Sequence, residues 1–306
     1  MQTDRPQSPA RQGPLLVGYG PEDRGRGGLE LAQTLAVSGG RALVVACVIP
    51  DRWGAVSPAR QTDADYQDYL DGLAREALDH ARASLAQCTV PVRYEVVTAR
   101  SAPAGLTRAA QENGAELLVV GSSADGSWGH IALGSTSDRL LHSSTIPVAI
   151  APRGLRLAPQ ARVPRVSVAV DGSEASRAVL ARAATVAQQV SASLRVVSFA
   201  VRHGAMYPPE VGLHAEDRVV AAWREQASAM VRASVRDLQQ TLSCEPELHV
   251  SEGRSWSEAL EEPGWLDGEV LVIGSSSSES RLARVFLGST AARIIRHSPV
   301  PVVVVP

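Results

Sequence analysis

The stretch AELLVVGSSADGSWGHIALGSTSDRLLHSSTIPVAIAP, Ala115 to Pro152, decides the fold because the chain holds it twice. Gly268 to Pro306 reads GEVLVIGSSSSESRLARVFLGSTAARIIRHSPVPVVVVP. Each copy runs apolar strand, Gly-Ser-Ser, polar loop, Leu-Gly-Ser-Thr, helix and His-Ser, then an X-Pro step into a second apolar strand. Gly121 and Gly274 are 153 positions apart and Gly134 and Gly288 are 154 apart, so the second loop is one residue longer. The openings match as well, PLLVGYG at 14–20 against VSVAVDGS at 166–173. A repeat of about 150 residues is a pair of ordinary domains. We expect a polar, disordered lead at 1–13, a first domain at 14–152, a linker at 153–164 and a second domain at 165–306.

Working outward, strands and helices alternate in each half. The first half is expected to place strands at Leu15–Val17, Ala42–Ile49, Val92–Thr98 and Glu116–Val120, with a last one from Pro147. Helices are expected near Leu29–Val37, Asp63–Ala86 and Ala102–Glu112, and from Gly134. The second half copies this with strands near Val166–Val170, Leu194–Ala200, Glu247–Val250, Val270–Ile273 and Val300–Val305. Its long helix, near Ala215–Leu242, carries apolar residues at helical spacing. Apolar strands separated by helices predict an α/β fold: a doubly wound parallel sheet of five strands in each half, covered on both faces. The last strands, Ile146–Ile150 and Val300–Val304, are apolar edges led by Pro. They are expected to pair antiparallel across a pseudo-twofold axis.

Composition narrows the function. Of 306 residues, 44% are hydrophobic and 20% charged, with a formal net charge of −2. That leaves no large basic field for nucleic acid. All 30 basic residues are Arg, which excludes a phosphate-loop Lys and a Schiff-base Lys. No apolar run reaches membrane-spanning length, and the lead lacks the apolar centre of a signal peptide. A cytoplasmic protein is expected. Cys47, Cys88 and Cys244 are too few and too far apart for a disulfide framework, and Cys47 reads as a buried thiol.

The quoted loops carry the functional signal. Ligands of doubly wound folds sit beyond the carboxyl ends of the strands, where strand order reverses, and both loops fall there. Anions need backbone N–H groups at a helix start. Gly121, Ser122, Gly134, Ser135 and Thr136 supply that pattern in the first half, and Gly274, Ser275, Gly288, Ser289 and Thr290 in the second. With this spacing and the opening VAVDGSEAS at Val168–Ser176, the chain resembles the universal stress protein family over nearly its whole length. The family signature is Gly, two residues, Gly, nine residues, Gly, then Ser or Thr. Here Ala124 replaces the second Gly of the first half, and Ser277 or Ser278 that of the second.

The resemblance implies a Rossmann-like sheet, pairing of two such domains through the last strand and, in many members, a bound adenine nucleotide. It also implies an Asp after strand one to hold the nucleoside, met here by Asp171 but by Gly18 in the first half. The ends of the second strands, Val48 and Ala200, fall where the family holds adenine by backbone groups. Arg281 and Arg284 are candidates to add charge to the second loop. The polar excursions Asp51–Arg60 and Arg202–Val211 are expected to act as lids. The plainer readings stay open: Gly and Ser suit any strand-to-helix turn, Asp171 suits a helix cap, and Val48 and Ala200 suit packing.

Other chemistries find no footing. Gly18-Tyr19-Gly20 lacks the third Gly of a dinucleotide fingerprint, since Asp23 stands there. His142 and His297, near the ends of the fourth helices, read as surface cations favoured by the helix dipole. No acid–base pair can be placed, so catalysis beyond slow ATP hydrolysis is not expected. The expected function is a regulatory or sensor module of the stress response that binds ATP, ADP or AMP, with Mg2+ as an optional companion. The alternative is a nucleotide-free tandem interaction scaffold. The partners expected are the nucleotide and the other half of the chain, with a homodimer left open and no nucleic acid or membrane.

Overall fold

The computed structural model describes residues 13–21, 25–51, 60–201, 213–236, 242, 245–275 and 287–306. The first half contains β1 (Leu15–Gly18), α1 (Arg26–Gly39), β2 (Leu43–Pro50), α2 (Arg60–Ser84), β3 (Val92–Ala99), α3 (Ala102–Asn113), β4 (Leu117–Gly121), α4 (Ser135–Ser143) and β5 (Val148–Ala151). The second contains β6 (Arg165–Ala169), α5 (Glu174–Gln189), β7 (Ser193–Val201), α6 (Leu213–Arg236), β8 (Glu247–Gly253), α7 (Trp256–Glu261), β9 (Val270–Gly274), α8 (Ser289–His297) and β10 (Val302–Val305).

The strands form one sheet in the order β3-β2-β1-β4-β5-β10-β9-β6-β7-β8. Every neighbouring pair is parallel except β5–β10, which is antiparallel with Val303 opposite Ala149, the pairing expected of the two Pro-led edges. Strand order reverses between β1 and β4 and again between β6 and β9, so each half is doubly wound. One core fills the face covered by α1, α2, α5 and α6, with Val17, Leu29, Leu78, Val168 and Leu180 inside. The other fills the opposite face with Leu16, Leu140, Ile150, Leu271, Ile295 and Val302, and both cores run across the two halves. Strands buried on both faces explain the continuous apolar runs.

The sheet register aligns the halves residue by residue. Leu15 lies between Leu43 and Leu117, and Val166 between Leu194 and Val270. Counting on from these pairs, Gly20 answers to Asp171, which corrects the assignment to Gly18. Gly18 instead gives room to Leu106, whose side chain would lie 2.8 Å from a Cβ there. The same count sets Val48 opposite Phe199, not Ala200. A slip of one position changes the face of the sheet, and Val48 and Phe199 both pack on the same core, with Leu16 and Leu271.

Among the described residues, the helix starts fall into two kinds. Ser101, Ser173 and Ser255 cap α3, α5 and α7 by accepting from the amides of Ala104, Ser176 and Glu258. Helices α1, α4 and α8 begin on Gly25, Gly134 and Gly288 with no side-chain cap.

Candidate functional site at the carboxyl edge of the sheet

Gly121 and Gly134 border the crossing from β4 to α4. Gly121 is required by close packing: a Cβ there would lie 2.9 Å from the Cα of Gly25 at the α1 start. Gly134 is different. Its φ of −85° is open to any residue, and a Cβ would meet Ser123 at an ordinary 3.5 Å. The first amide drawn into α4 is that of Asp138, which donates to the Gly134 carbonyl at 2.9 Å. The amides of the three preceding residues are left for an acceptor outside the helix. Ser135 is exposed beside them, Thr136 is half-buried, and the Ser137 hydroxyl is committed to the Gly134 backbone at 3.0 and 3.1 Å.

The intervening loop closes on itself. The Ser122 hydroxyl accepts from the Ala132 amide at 2.7 Å and faces its carbonyl at 3.2 Å, and the Ser123 amide donates to the same carbonyl at 2.8 Å. The Ser122 hydroxyl therefore braces the loop. Ala124 causes no strain, because the only positive φ outside Gly among the described residues is at Ser191. The missing second Gly costs nothing in this conformation.

The second half places Gly274, Gly288, Ser289 and Thr290 on the same edge. Helix α8 opens as α4 does, with the Ala292 amide donating to the Gly288 carbonyl at 2.9 Å and Ser289 and Thr290 exposed. Ser275 is buried, and its amide donates to the Val305 carbonyl at 2.8 Å. Asp171 accepts from the amide and hydroxyl of Ser173 at 3.0 and 2.6 Å, in the turn that starts α5. Burial pushes its carboxyl up, but the Ser173 bonds outweigh this and hold its pKa below the ordinary value. The loop candidates Ser277, Ser278, Arg281 and Arg284, residues 52–59 of the first expected lid and all of the second, 202–211, lie outside the described residues.

One other assignment changes. His297 is half-buried and not a surface residue, and burial, then the charges of Arg296 and His130, lower its pKa, against the expectation of a dipole-favoured cation. His142 does sit exposed in the last turn of α4, with Nδ1 2.7 Å from the Asp138 carbonyl. The Cys47 thiol is buried and raised by that burial to about 11. Among the described residues there is no group of three or more His, Cys, Asp or Glu that could hold a metal, and no helix long and apolar enough to cross a membrane.

Sequence reasoning missed a buried ionic cluster at the opposite, amino edge of the second half. Arg195, fully buried on β7, donates to Ser167 at 2.8 Å, the Pro263 carbonyl at 2.6 Å and Glu269 at 2.7 Å, with its guanidinium 4.7 Å from the Trp265 ring centre. Glu269, equally buried, also accepts from Ser167, Arg165 and the Leu266 amide. The signal was a single Arg inside the apolar run SLRVVSFA and a Ser in RVSVAV.

The model of the universal stress protein family matches residues 13–152 and again 163–306. Universal stress proteins of Mycobacterium tuberculosis and Mycobacterium bovis are 39% identical over 294 residues, covering 95% of this chain and 99% of theirs. The crystal structure of a universal stress protein from Archaeoglobus fulgidus shares the fold at 20% identity and a TM-score of 0.58, covering 95% of this chain and 97% of that one. With the repeat in the sequence and the paired sheet in the structure, these likenesses identify the chain as a tandem member of the universal stress protein family.

Proposed function

We propose that this chain binds an adenine nucleotide, ATP or its lower phosphates, at the carboxyl edge of the sheet. In this reading it acts as a cytoplasmic sensor or regulatory module of the stress response, built from domains at 14–152 and 165–306. One observation carries the reading. Helices α4 and α8, which start beside the two reversals of strand order, open on Gly without a side-chain cap, as α1 does, whereas Ser closes α3, α5 and α7. An open helix start presents donors and a positive dipole end to an anion. Gly121, Gly134, Ser135 and Thr136 would take the phosphates in the first half, and Gly274, Gly288, Ser289 and Thr290 in the second. Asp171 would hold the second nucleoside, after giving up its bond to Ser173. The adenine would lie against backbone at the ends of β2 and β7, near Val48 and Ala200. Mg2+, where present, would be held chiefly by the phosphates and water.

The test is extraction of gently purified protein by heat, chromatography of the released nucleotide, and calorimetric titration with ATP. Retained adenine nucleotide or saturable binding supports the reading. The second reading, a nucleotide-free scaffold, is favoured by the self-closed loop at Ser122–Ala132 and by the engagement of Asp171 with Ser173. No extractable nucleotide and no heat of binding would establish that reading instead.

A further inference from the structure

The β4–α4 loop is gripped from outside by the segment that leaves β5. The Arg153 amide donates to the His130 carbonyl at 2.9 Å, and the Gly129 amide donates back to the Arg153 carbonyl at 2.9 Å. The Arg153 guanidinium donates to the Gly126 carbonyl and lies 5.1 Å from the Trp128 ring centre. Gly154 has φ +78°, and a Cβ there would lie 2.1 Å from the Trp128 ring, so only Gly fits beneath the indole. Trp128 is still 68% exposed, which makes its position a product of these contacts and not of core burial. The same segment continues as a strap along α1. The Leu157 amide donates to Glu30, Gln33 donates to the Pro159 carbonyl, and the Val163 amide donates to Ser38, at 2.7 to 2.9 Å.

We propose that Arg153 is a positioning residue for the α4 anion site: it fixes residues 126–130 from the inter-domain strap, and so couples occupancy of that site to the strap. The proposal rests on the nucleotide reading above. Arg suits the task because its planar guanidinium can stack on an indole while one edge donates to a carbonyl, which an ammonium cannot do. The bond to Gly126 and the ring contact hold the outer end of the loop, while Ser122 holds its inner end.

The experiment uses full-length protein with R153A, R153K, W128A and W128F. Hydrogen exchange without nucleotide reports the grip directly. Exchange at 122–134 is expected to rise about tenfold or more in R153A and W128A, to rise in R153K, and to stay near wild type in W128F. Unchanged exchange in R153A and W128A would overturn the grip. Titration with ATP reports the site: about tenfold weaker binding is expected in R153A with the melting temperature little changed, and W128F should bind as wild type does. Loosened exchange with unchanged ATP affinity would overturn the positioning role while leaving the nucleotide reading intact. Wild-type protein that binds no ATP would overturn that reading and the positioning role with it, and the exchange result would still stand as a property of the loop. Coupling to the strap predicts slower exchange at Leu157 and Val163 on ATP addition to wild type and no such slowing in R153A; no slowing in wild type overturns the coupling.

Discussion

The two halves share one backbone plan and differ in chemistry at both edges of the sheet. At the amino edge, the second half buries Arg195 and Ser167 where the register sets Val44 and Leu16 in the first. Glu269 is fully buried beneath them, whereas its counterpart Glu116 is exposed and pairs with Arg41 at 2.7 Å. At the carboxyl edge, the second half has Asp171 where the first has Gly20. A duplicated sheet therefore keeps its hydrogen-bonded frame and its apolar centre, and lets each edge change independently. The buried cluster is closed by its own donors, with four groups on one carboxylate, so its role is to hold the α7–β9 connection onto the sheet.

Removing one member of that cluster should have the largest effect. E269A leaves the Arg195 guanidinium buried without its carboxylate and is expected to destabilise the second half by about 3–5 kcal/mol, read by urea denaturation. The triple variant S167L/R195V/E269L gives positions 167 and 195 the apolar occupants of the first half and makes position 269 apolar as well, and should recover most of that loss, because a buried ion pair exchanged whole for packed apolar groups is often neutral. A triple variant as unstable as E269A would show that this half needs the ion pair itself.

Next in size is the comparison of the two helix starts. G134D and G288D each place a carboxylate where phosphate is proposed to sit. The first half keeps the family's loop spacing, and phosphate contacts are charge-assisted, so G134D is expected to weaken ATP binding more. Loss of one or two such bonds is worth about 3 kcal/mol, roughly 100-fold in affinity. Asp is a good N-cap, so the fold should not suffer in either variant. Abolition of binding by G288D alone would move the principal site to the second half.

A smaller effect separates Asp171 from Gly20. The folded carboxyl of Asp171 titrates below its ordinary value near 3.8, because the Ser173 donors outweigh burial. A depressed carboxyl adds stability above its unfolded value and loses it as pH falls through the folded one. Wild type should therefore exceed D171N in melting temperature near neutral pH, and the gap should close below about pH 4. The carboxylate is substantially exposed, so solvent screening keeps the gap small. A gap independent of pH would mean that the folded protein does not hold the Asp171 carboxyl below its ordinary value.

How far the sequence could be read follows from the same contrast. The frame was legible because both faces of the strands are apolar and the stretch at Ala115–Pro152 recurs; even the β5–β10 junction showed in two Pro-led apolar edges. The alignment of the halves was legible only to within one or two positions. Sequence similarity around Gly18 and Ala200 is loose, and strand register is set by pairing that no local pattern displays. The candidate site was half legible. The uncapped starts at Gly134 and Gly288 lie in the motif itself, whereas the inward turn of Ser122 and the burial of Ser275 depend on distant partners, Ala132 and Val305. The Arg153 grip was hidden for the same reason, since its contacts reach back across more than twenty residues to Gly126 and Trp128.

The smallest expected effect is the most discriminating. In G134S the φ of −85° and the 3.5 Å contact to Ser123 leave room for the new side chain, and Ser is a slightly better N-cap than Gly. The hydroxyl can accept from an α4 amide as Ser173 does in α5. Stability should rise by about 0.3 kcal/mol, or roughly 1 °C in melting temperature. The same bond takes an amide proposed for phosphate, so ATP affinity should fall about threefold to tenfold. A stabilised variant with weakened binding means that Gly134 keeps the helix start open for an anion at a cost in stability. A stabilised variant with ATP affinity equal to wild type means that the open start is no more than a turn, and that the phosphates, if bound, lie elsewhere on the edge.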